Sequence, residues 1–207
     1  MANENIVSLY EYDEAVRTDF PVLCGVDEAG RGPLAGDVFA AAVILDPDNM
    51  IEGLNDSKKL SEKKREKLFD EIKQKALAYK IAVSTVEEIE QINILNAAML
   101  AMKRAVEGLD ITADIVLIDG NKAPDIALPV RTVIKGDATS ASVAAASILA
   151  KVARDRYMLE MARLYPQYCF EKHKGYGTKL HTDMIIRYGE CEIHRPSFLR
   201  KLYKNEK

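Results

Sequence analysis

Residues 22–33 read VLCGVDEAGRGP, which is a short apolar run followed by two acidic residues and a glycine-rich turn. An apolar run of this length, bounded by glycine and proline, is typical of a buried strand. Asp27 and Glu28 therefore stand at the end of a predicted strand, just before Gly30. Because adjacent side chains of a strand point to opposite faces, we expect the two acids to share a site only if the strand gives way to the turn there.

Two later apolar runs also lead to an acidic residue beside a glycine. Residues 115–118 stop on Asp119, and residues 130–134 are followed three positions later by Asp137. Ligands of α/β sheets collect outside strand ends, so acids that are far apart in sequence can converge there. The predicted site therefore consists of the carboxylates of Asp27, Glu28, Asp119 and Asp137.

The remaining sequence predicts two more strands and several helices. Apolar runs at 38–45 and 80–85 are typical of strands. Apolar residues at helical spacing predict helices after Ser61, across 92–109, from about Ser140 and after Thr178. Strands that come first and then alternate with helices indicate an α/β fold with a mixed central sheet flanked by helices.

The length of the chain, 207 residues, favours a single domain, and a hydrophobic content of 48% is enough for a sizeable core. Residues 1–20 are polar and acidic and end at Pro21, so we expect a short leading helix or tail there. We therefore predict an acidic amino-terminal lead at 1–20 and a single catalytic domain at 21–207.

The composition excludes several classes of function. A formal net charge of −3 argues against a protein that holds nucleic acid through bulk positive charge, so any such contact must use a local basic patch. Three widely spaced cysteines predict neither a disulfide framework nor a zinc knuckle. With no basic leader and no run of roughly 18 apolar residues, the chain is expected to be a cytoplasmic protein without a membrane segment.

Four carboxylates without histidine or thiolate favour a hard divalent cation. Such a set suits Mg²⁺ or Mn²⁺ and suits zinc poorly. Two such ions ~3.5–4 Å apart can activate a water molecule and stabilise the leaving oxygen of a phosphodiester. The acids therefore predict a two-metal site for phosphodiester hydrolysis.

Each acid also has an ordinary structural interpretation. Asp119 with Gly120 is a common turn dipeptide, and Asp137 could cap the helix that follows it. Asp27 and Glu28 are harder to explain in this way, because two acids at the end of an apolar strand are costly unless they are paired, solvated or bound to metal.

Basic and aromatic residues near these acids are candidates for nucleic-acid contact. Lys58 lies in a predicted loop and is a better candidate for a phosphate contact than the charged helix that follows it. Tyr176 stands close to Lys172 and Lys174, a combination of positive charge and a stacking ring that is usual in loops that hold a nucleic-acid strand.

These motifs together resemble the type 2 ribonucleases H, the ribonuclease HII family. The resemblance runs in family order over nearly the whole chain, through the blocks at 25–33, 54–60, 117–121, 135–137, 144–152, 172–178 and 194–198. One departure is Asp37, where the family pattern leads us to expect proline or a small apolar residue.

The resemblance implies a ribonuclease H-like fold with a helical carboxy-terminal part. It implies cleavage of the RNA strand of RNA–DNA hybrids and incision 5′ of single ribonucleotides in duplex DNA, giving 5′-phosphate and 3′-hydroxyl ends. The sequence itself shows no evident protein partner, and we expect a monomer. The family's metal-binding acids fall on the four acids already identified. The family's Gly-Arg-Gly, here Gly30, Arg31 and Gly32, recognises the 2′-hydroxyl, and a tyrosine matching Tyr176 packs on the next deoxynucleotide sugar.

Two alternatives stay open. A type 3 relative resembles this chain in its core but adds an amino-terminal substrate-binding domain, whereas about twenty residues precede the first motif here and Arg31 fits type 2 better. A non-catalytic module that binds hybrids would not require all four acids, and a metal titration of cleavage distinguishes it from an enzyme.

Overall fold

The structure is a computed structural model that describes residues 2–204, and within them the side chains of residues 9–200, 202 and 203. The strands are β1 (Leu23–Ala29), β2 (Val38–Ile44), β3 (Ala78–Ser84), β4 (Ile115–Asp119) and β5 (Val130–Val133). The helices are α1 (Ala2–Arg17), α2 (Glu62–Lys75), α3 (Val86–Glu107), α4 (Ala141–Leu164), α5 (Phe170–His173), α6 (Lys179–Tyr188) and α7 (Pro196–Lys204).

The five strands form one mixed sheet in the order β3-β2-β1-β4-β5. β1 pairs antiparallel with β2 and parallel with β4, and β4 pairs parallel with β5. In the parallel pair Val26 lies opposite Ile118, so the residues that follow them, Asp27 and Asp119, reach the same edge of the sheet. The mixed sheet predicted from the sequence is confirmed.

Helices cover both faces of the sheet. On one face α1, α2 and α4 share a core with the side chains of β2 that point towards them, and on the other face α3 packs against β1, β2 and β3. α4 approaches β1 so closely that a Cβ at Gly25 would lie 2.2 Å from the carbonyl carbon of Ser142. Only glycine fits there, and the buried alanines at 144, 145 and 146 allow the same close packing of α4.

The carboxy-terminal part is helical, as predicted. Its core contains Met158 of α4 together with Ala35, Tyr168 and Phe170. α5 and α6 follow within this part, and α7 ends the described chain. None of the described helices combines the length and the apolar character that a membrane crossing needs.

Two elements differ from their sequence-based outlines. α3 begins at Val86, earlier than residue 92, because Thr85 and Glu88 form a capping box, and the left-handed Asn93 (φ 67°) then interrupts the helical periodicity. The acidic lead is the helix α1, whose Leu9 and Val16 are buried. The domain division at residue 20 stays a prediction, and Met1 and residues 205–207 lie outside the described residues.

Candidate active site

Asp27 and Glu28 lie inside β1 and not beyond its end. The strand continues to Ala29 because β2 pairs with it there, with Asp27 opposite Ala41 and Glu28 opposite Ala40. The strand ends at Ala29 and the turn at Gly30 follows directly, so the predicted change from strand to turn just after the two acids is confirmed. Their side chains point to opposite faces of the sheet, so the two acids meet at its edge and not on one face.

Two adjoining clefts contain most of the predicted residues. The first, of about 230 Å³, is lined by Asp27, Glu28, Gly30, Arg31, Gly32, Lys58 and Tyr176, together with Ser57, Ser147, Lys151, Arg154 and Ala29. The second, of about 180 Å³, shares Glu28 and Arg31 with the first and adds Asp119 and the residues at 120–122. Asp137 is not among the described residues that line these two clefts. It is linked to the site through its neighbours instead.

Asp27 is the most deeply placed of the four acids, with 7% of its surface exposed. Its Oδ1 accepts a hydrogen bond of 2.7 Å from the backbone N–H of Glu28. Burial raises the pKa of Asp27 well above its usual value, and the charges of Glu28 and Asp119 raise it further. Asp27 thus lies where a negative charge is unfavourable unless a cation is near.

Asp119 connects the end of β4 to the next turn. Its Oδ1 accepts a hydrogen bond of 2.7 Å from the backbone N–H of Gly136, which opens the short 3₁₀ turn Gly136–Ala138. This bond brings the residue after Gly136, Asp137, to the same edge of the sheet as Asp119. The interpretation of Asp119 as an ordinary turn residue is therefore incomplete, because its carboxylate also binds the turn that contains Asp137.

Asp137 does not cap α4. The N-cap residue is Ser140, whose hydroxyl accepts the N–H of Val143 at 3.3 Å, so the helix-cap interpretation of Asp137 is wrong. Asp137 is 9% exposed. Burial first, and then the charges of Asp119 and Asp56, raise the pKa of Asp137 to about 6. The charges of Asp137 and Asp119 therefore interact, although only Asp119 lines one of the two clefts.

Asp56 is a fifth acid that the sequence analysis did not single out. Its carboxylate caps the turn Ser57–Lys59 by accepting the N–H of Lys58 at 2.9 Å, and it lies close enough to Asp137 to raise the pKa of that acid. An aspartate before a turn looks ordinary in sequence. Its position inside the block at 54–60 was the signal that could have identified it.

Lys58 places a positive charge among these acids. Burial acts to lower the pKa of Lys58, but the carboxylates of Asp27, Asp137 and Asp56 raise it overall. The side chain therefore stays protonated near neutral pH. Its predicted contact with a phosphate stays a prediction.

Arg31 and Tyr176 border the acids on the solvent side. Arg31 Nη1 lies 3.1 Å from Glu28 Oε1, and the arginine side chain is half exposed. The Tyr176 ring is 44% exposed and lies beside Gly32, where an added Cβ would be 3.6 Å from the ring. A charged group and an aromatic face thus stand at the mouth of the first cleft.

The glycine-rich loop is held from beneath by a buried arginine that the sequence analysis did not single out. Arg195 donates hydrogen bonds to the carbonyl oxygens of Gly30 (2.7 Å), Arg31 (3.3 Å), Pro33 (2.8 Å) and Gly36 (2.9 Å). Gly30 itself adopts a left-handed conformation (φ +107°), which glycine tolerates because it has no side chain. The backbone of the loop therefore has a fixed shape next to the cleft.

Asp37, the departure from the family pattern, also belongs to this support. Its carboxylate accepts the N–H of Val86 at 2.9 Å, at the start of α3. Its charge lies near Arg154 and Arg195, which are both buried. An acid at this position thus connects β2 to α3 and balances two buried guanidinium groups.

The donor set fits a hard divalent cation in its chemistry. Asp27, Asp137 and Asp119 offer carboxylate oxygens, and their mutual repulsion is what a cation would relieve. In the part of the chain that is described, no three acidic, histidine or cysteine side chains already form a group that would hold an ion. Like charges keep carboxylates apart unless a cation lies between them.

Fold and site together define a hydrolase of the ribonuclease H-like class. A sequence model described as Ribonuclease HII matches residues 24–205. A protein named Ribonuclease HII from Caldicellulosiruptor saccharolyticus is 54% identical over 202 residues, which is 98% of each chain.

Solved structures agree. The ribonuclease H2 of Pyrococcus horikoshii OT3 has a TM-score of 0.73 at 26% identity, covering 88% of this chain and 97% of the other. The complex of PCNA with RNase HII from Archaeoglobus fulgidus gives a TM-score of 0.67 at 25% identity, over 84% and 94%. The chain belongs to the ribonuclease HII family and is a metal-dependent endoribonuclease, which confirms the predicted type 2 assignment.

Proposed function

We propose that this protein cleaves the RNA strand of RNA–DNA hybrids, incises 5′ of single ribonucleotides in duplex DNA, and leaves 5′-phosphate and 3′-hydroxyl ends. Such an activity would serve ribonucleotide excision repair. The observation that carries the proposal is the first cleft, where Gly30–Gly32, Tyr176 and the carboxylates of Asp27 and Glu28 line one space.

In this proposal Asp27, Glu28, Asp119 and Asp137 hold two Mg²⁺ or Mn²⁺ ions. The ions, when bound, supply an activated water molecule and stabilise charge on the leaving oxygen. The raised pKa values of Asp27 and Asp137 support this assignment, because they mark carboxylates that favour a nearby positive charge.

The protein groups around the acids have separate roles. The backbone of Gly30 and Gly32 can approach a ribose closely because neither residue has a side chain, and a 2′-hydroxyl is what distinguishes RNA from DNA. Arg31 exchanges its contact with Glu28 for a phosphate of the substrate. Lys58 holds a phosphate beside the acids, and the exposed Tyr176 ring packs on the next deoxynucleotide sugar.

The test uses a labelled duplex that contains one ribonucleotide and, beside it, a continuous hybrid. Purified protein should cleave both with Mg²⁺ or Mn²⁺, and should incise the first duplex on the 5′ side of the ribonucleotide. Binding without cleavage at any metal concentration would favour the non-catalytic module. Cleavage of the continuous hybrid alone would contradict the proposed incision at single ribonucleotides.

The expected state of the protein is a cytoplasmic monomer, and the three cysteines, all free thiols in the structure, support a reducing compartment. Gel filtration with light scattering tests the monomer. The prediction that no protein partner is needed is tested by the same cleavage assay, since activity of the purified chain alone would agree with it.

A further inference from the structure

α1 carries a fully buried carboxylate, Asp13, which is 0% exposed. It lies outside the motif blocks and outside the residues matched by the family model. Asp13 Oδ1 accepts a hydrogen bond from the hydroxyl of Ser140 at 2.5 Å, and Oδ2 accepts from the backbone N–H and the hydroxyl of Ser142 at 2.9 and 2.7 Å. One acid thus binds the start of α4 from a helix 127 residues away in sequence.

These contacts lead to the acidic site through a single residue, Gly136. The backbone N–H of Ser140 donates to the carbonyl oxygen of Gly136 at 2.8 Å. The backbone N–H of Gly136 donates in turn to Asp119 Oδ1 at 2.7 Å. The chain of hydrogen bonds therefore runs from Asp13 through Ser140 and Gly136 to Asp119, and Asp137 is the residue next to Gly136.

A merely structural tie between α1 and α4 does not require a charge. Burying a carboxylate is costly unless it is hydrogen-bonded, whereas apolar contacts such as those of Leu9 would dock the helix without that cost. α4 also has its own N-cap in Ser140. What the charge adds is three directional bonds at the base of the turn Gly136–Ala138, favoured by the positive end of the α4 dipole.

We propose that Asp13 is a positioning residue for the active site, which fixes the turn Gly136–Ala138 through Ser140 and thereby sets the placement of Asp137 relative to Asp119. The inference rests on the proposed role of those two acids as metal ligands. Small displacements of such ligands are expensive, because a misplacement of about 1 Å can cost about 100-fold in rate.

The chain offers two matched controls. Ser142→Ala removes a hydroxyl that donates to the same carboxylate but leaves the link from Ser140 to Gly136 intact. Tyr10→Phe removes a different buried hydrogen bond of α1, in which the Tyr10 hydroxyl accepts the N–H of Ile51 at 2.9 Å, and this bond does not involve α4. Both controls loosen the surroundings of α1 without acting on the turn.

The experiment compares Asp13→Ala and Ser140→Ala, singly and together, with these controls. We measure kcat, KM for the duplex, the Mn²⁺ concentration at half-maximal rate, and the rise in Tm that Mn²⁺ causes. Asp13→Ala should lower kcat about 10-fold and raise the Mn²⁺ requirement several-fold, with KM changed less than about 2-fold. The double variant should lose little more than the worse single variant, because the two residues act in one chain of bonds.

Tyr10→Phe should lower Tm while kcat and the Mn²⁺ requirement stay within about 2-fold of the wild type. Ser142→Ala should behave as Tyr10→Phe does, because the link from Ser140 to Gly136 stays intact. Wild-type kcat and Mn²⁺ requirement in Asp13→Ala would overturn the inference, as would equal losses in Asp13→Ala and Tyr10→Phe. If Asp13→Ala does not fold, Asp13→Asn, which keeps one acceptor oxygen, takes its place with smaller effects of the same kind.

The rise in Tm that Mn²⁺ causes distinguishes failure of this inference from failure of the proposed function. If the wild type binds Mn²⁺ but cleaves no substrate, the proposed function fails, and loss of the Mn²⁺-induced rise in Asp13→Ala still supports positioning. An undiminished rise in Asp13→Ala would contradict the positioning role whether or not the wild type cleaves.

Discussion

Two regions of this protein bury charged and polar groups in opposite ways. In the carboxy-terminal part each buried cation or imidazole has a complementary partner, as in Arg195, which donates to four carbonyl oxygens of the glycine-rich loop. At the sheet edge like charges gather instead, so that Asp27 lies near Glu28 and Asp119. Buried charged groups that have a complete set of partners therefore indicate a supporting role. Like charges that lie close together indicate a site that needs a ligand of opposite charge.

The histidines show how complete the first arrangement is. His181 Nδ1 lies 3.0 Å from the carbonyl oxygen of Tyr176, so it carries a proton, and His181 Nε2 must then accept from His194 Nε2 at 3.1 Å. His194 Nδ1 is left to accept the N–H of Cys191 at 2.8 Å. Both rings are neutral in this arrangement, in line with burial, which lowers the pKa of each to about 4.

The largest expected effect is on catalysis at the crowded edge. Asp27→Asn or Asp119→Asn should lower kcat at least about 1000-fold, because an amide cannot replace an anionic ligand of a hard cation. The Tm of the metal-free protein should stay equal or rise, because one of the repelling charges is gone. Asp48→Asn, at an exposed turn, is the matched control and should change neither. Near-normal cleavage in either active-site variant would refute the site assignment.

Asp137 should show a smaller catalytic loss without a cost in stability. Asp137→Ser should lower kcat about 100-fold, with a little recovered by Mn²⁺, because a hydroxyl is a weaker ligand than a carboxylate. Its Tm should stay near that of the wild type, since Ser140 caps α4. Cleavage assays and thermal melts of the same preparation measure both. Normal cleavage would reduce the site to Asp27, Glu28 and Asp119.

In the carboxy-terminal part, loss of stability should be the first effect of a substitution. Arg195→Met should lower the free energy of unfolding by about 3 kcal/mol or more, because several buried carbonyl oxygens lose their donor. Chemical denaturation measures this, and Arg163→Met, at an exposed position of α4, is the control. A loss below about 1 kcal/mol would show that the loop keeps its shape without the guanidinium.

At the mouth of the cleft the effect should be one of discrimination. Arg31→Ala or Tyr176→Ala should lower cleavage of a single embedded ribonucleotide several-fold more than cleavage of a continuous hybrid, because a lone ribose offers fewer compensating contacts. The ratio of the two kcat/KM values is the measurement. Equal losses on both substrates would argue against a role in reading the junction.

The smallest expected effect is the change of stability with pH, and its sign differs between the two regions. The raised pKa of Asp137, about 6 against 3.8, means that the native metal-free protein holds the extra proton, so its stability falls as pH rises from about 4 to 6. Burial lowers the pKa of His181 and of His194 to about 4 from 6.5, so their effect on stability has the opposite sign. The stability that the neutral histidines contribute is lost as pH falls from about 6.5 to 4.

Thermal melts without metal can separate these two contributions. The Tm of Asp137→Asn minus that of the wild type should grow as pH rises from 4 to 6, because the variant lacks the group that opposes deprotonation. The ordinary titration of the histidines is common to both proteins and cancels in the difference. A difference that does not change with pH would contradict the perturbed titration of Asp137.

The sequence predicted those features that repeat as a pattern. Apolar runs located the five strands, and the acids beside their ends were found because the pattern recurs at Asp119 and Asp137. The end of β1 was also predicted, because the glycine-rich turn at Gly30 follows the two acids almost at once. Asp13 and Arg195 were missed because a single charged residue has no periodicity, and its partners are defined only once the chain has folded.

The contact of Asp13 with α4 also sets an order of events during synthesis. Ser140 is made 127 residues after Asp13. At translation rates of about 5–20 residues per second this separation lasts roughly 6–25 s. For all of that time the carboxylate has no partner on α4 and remains hydrated, so α1 cannot take its final place early. α1 therefore reaches its final place on α4 only after all five strands of the sheet have been made.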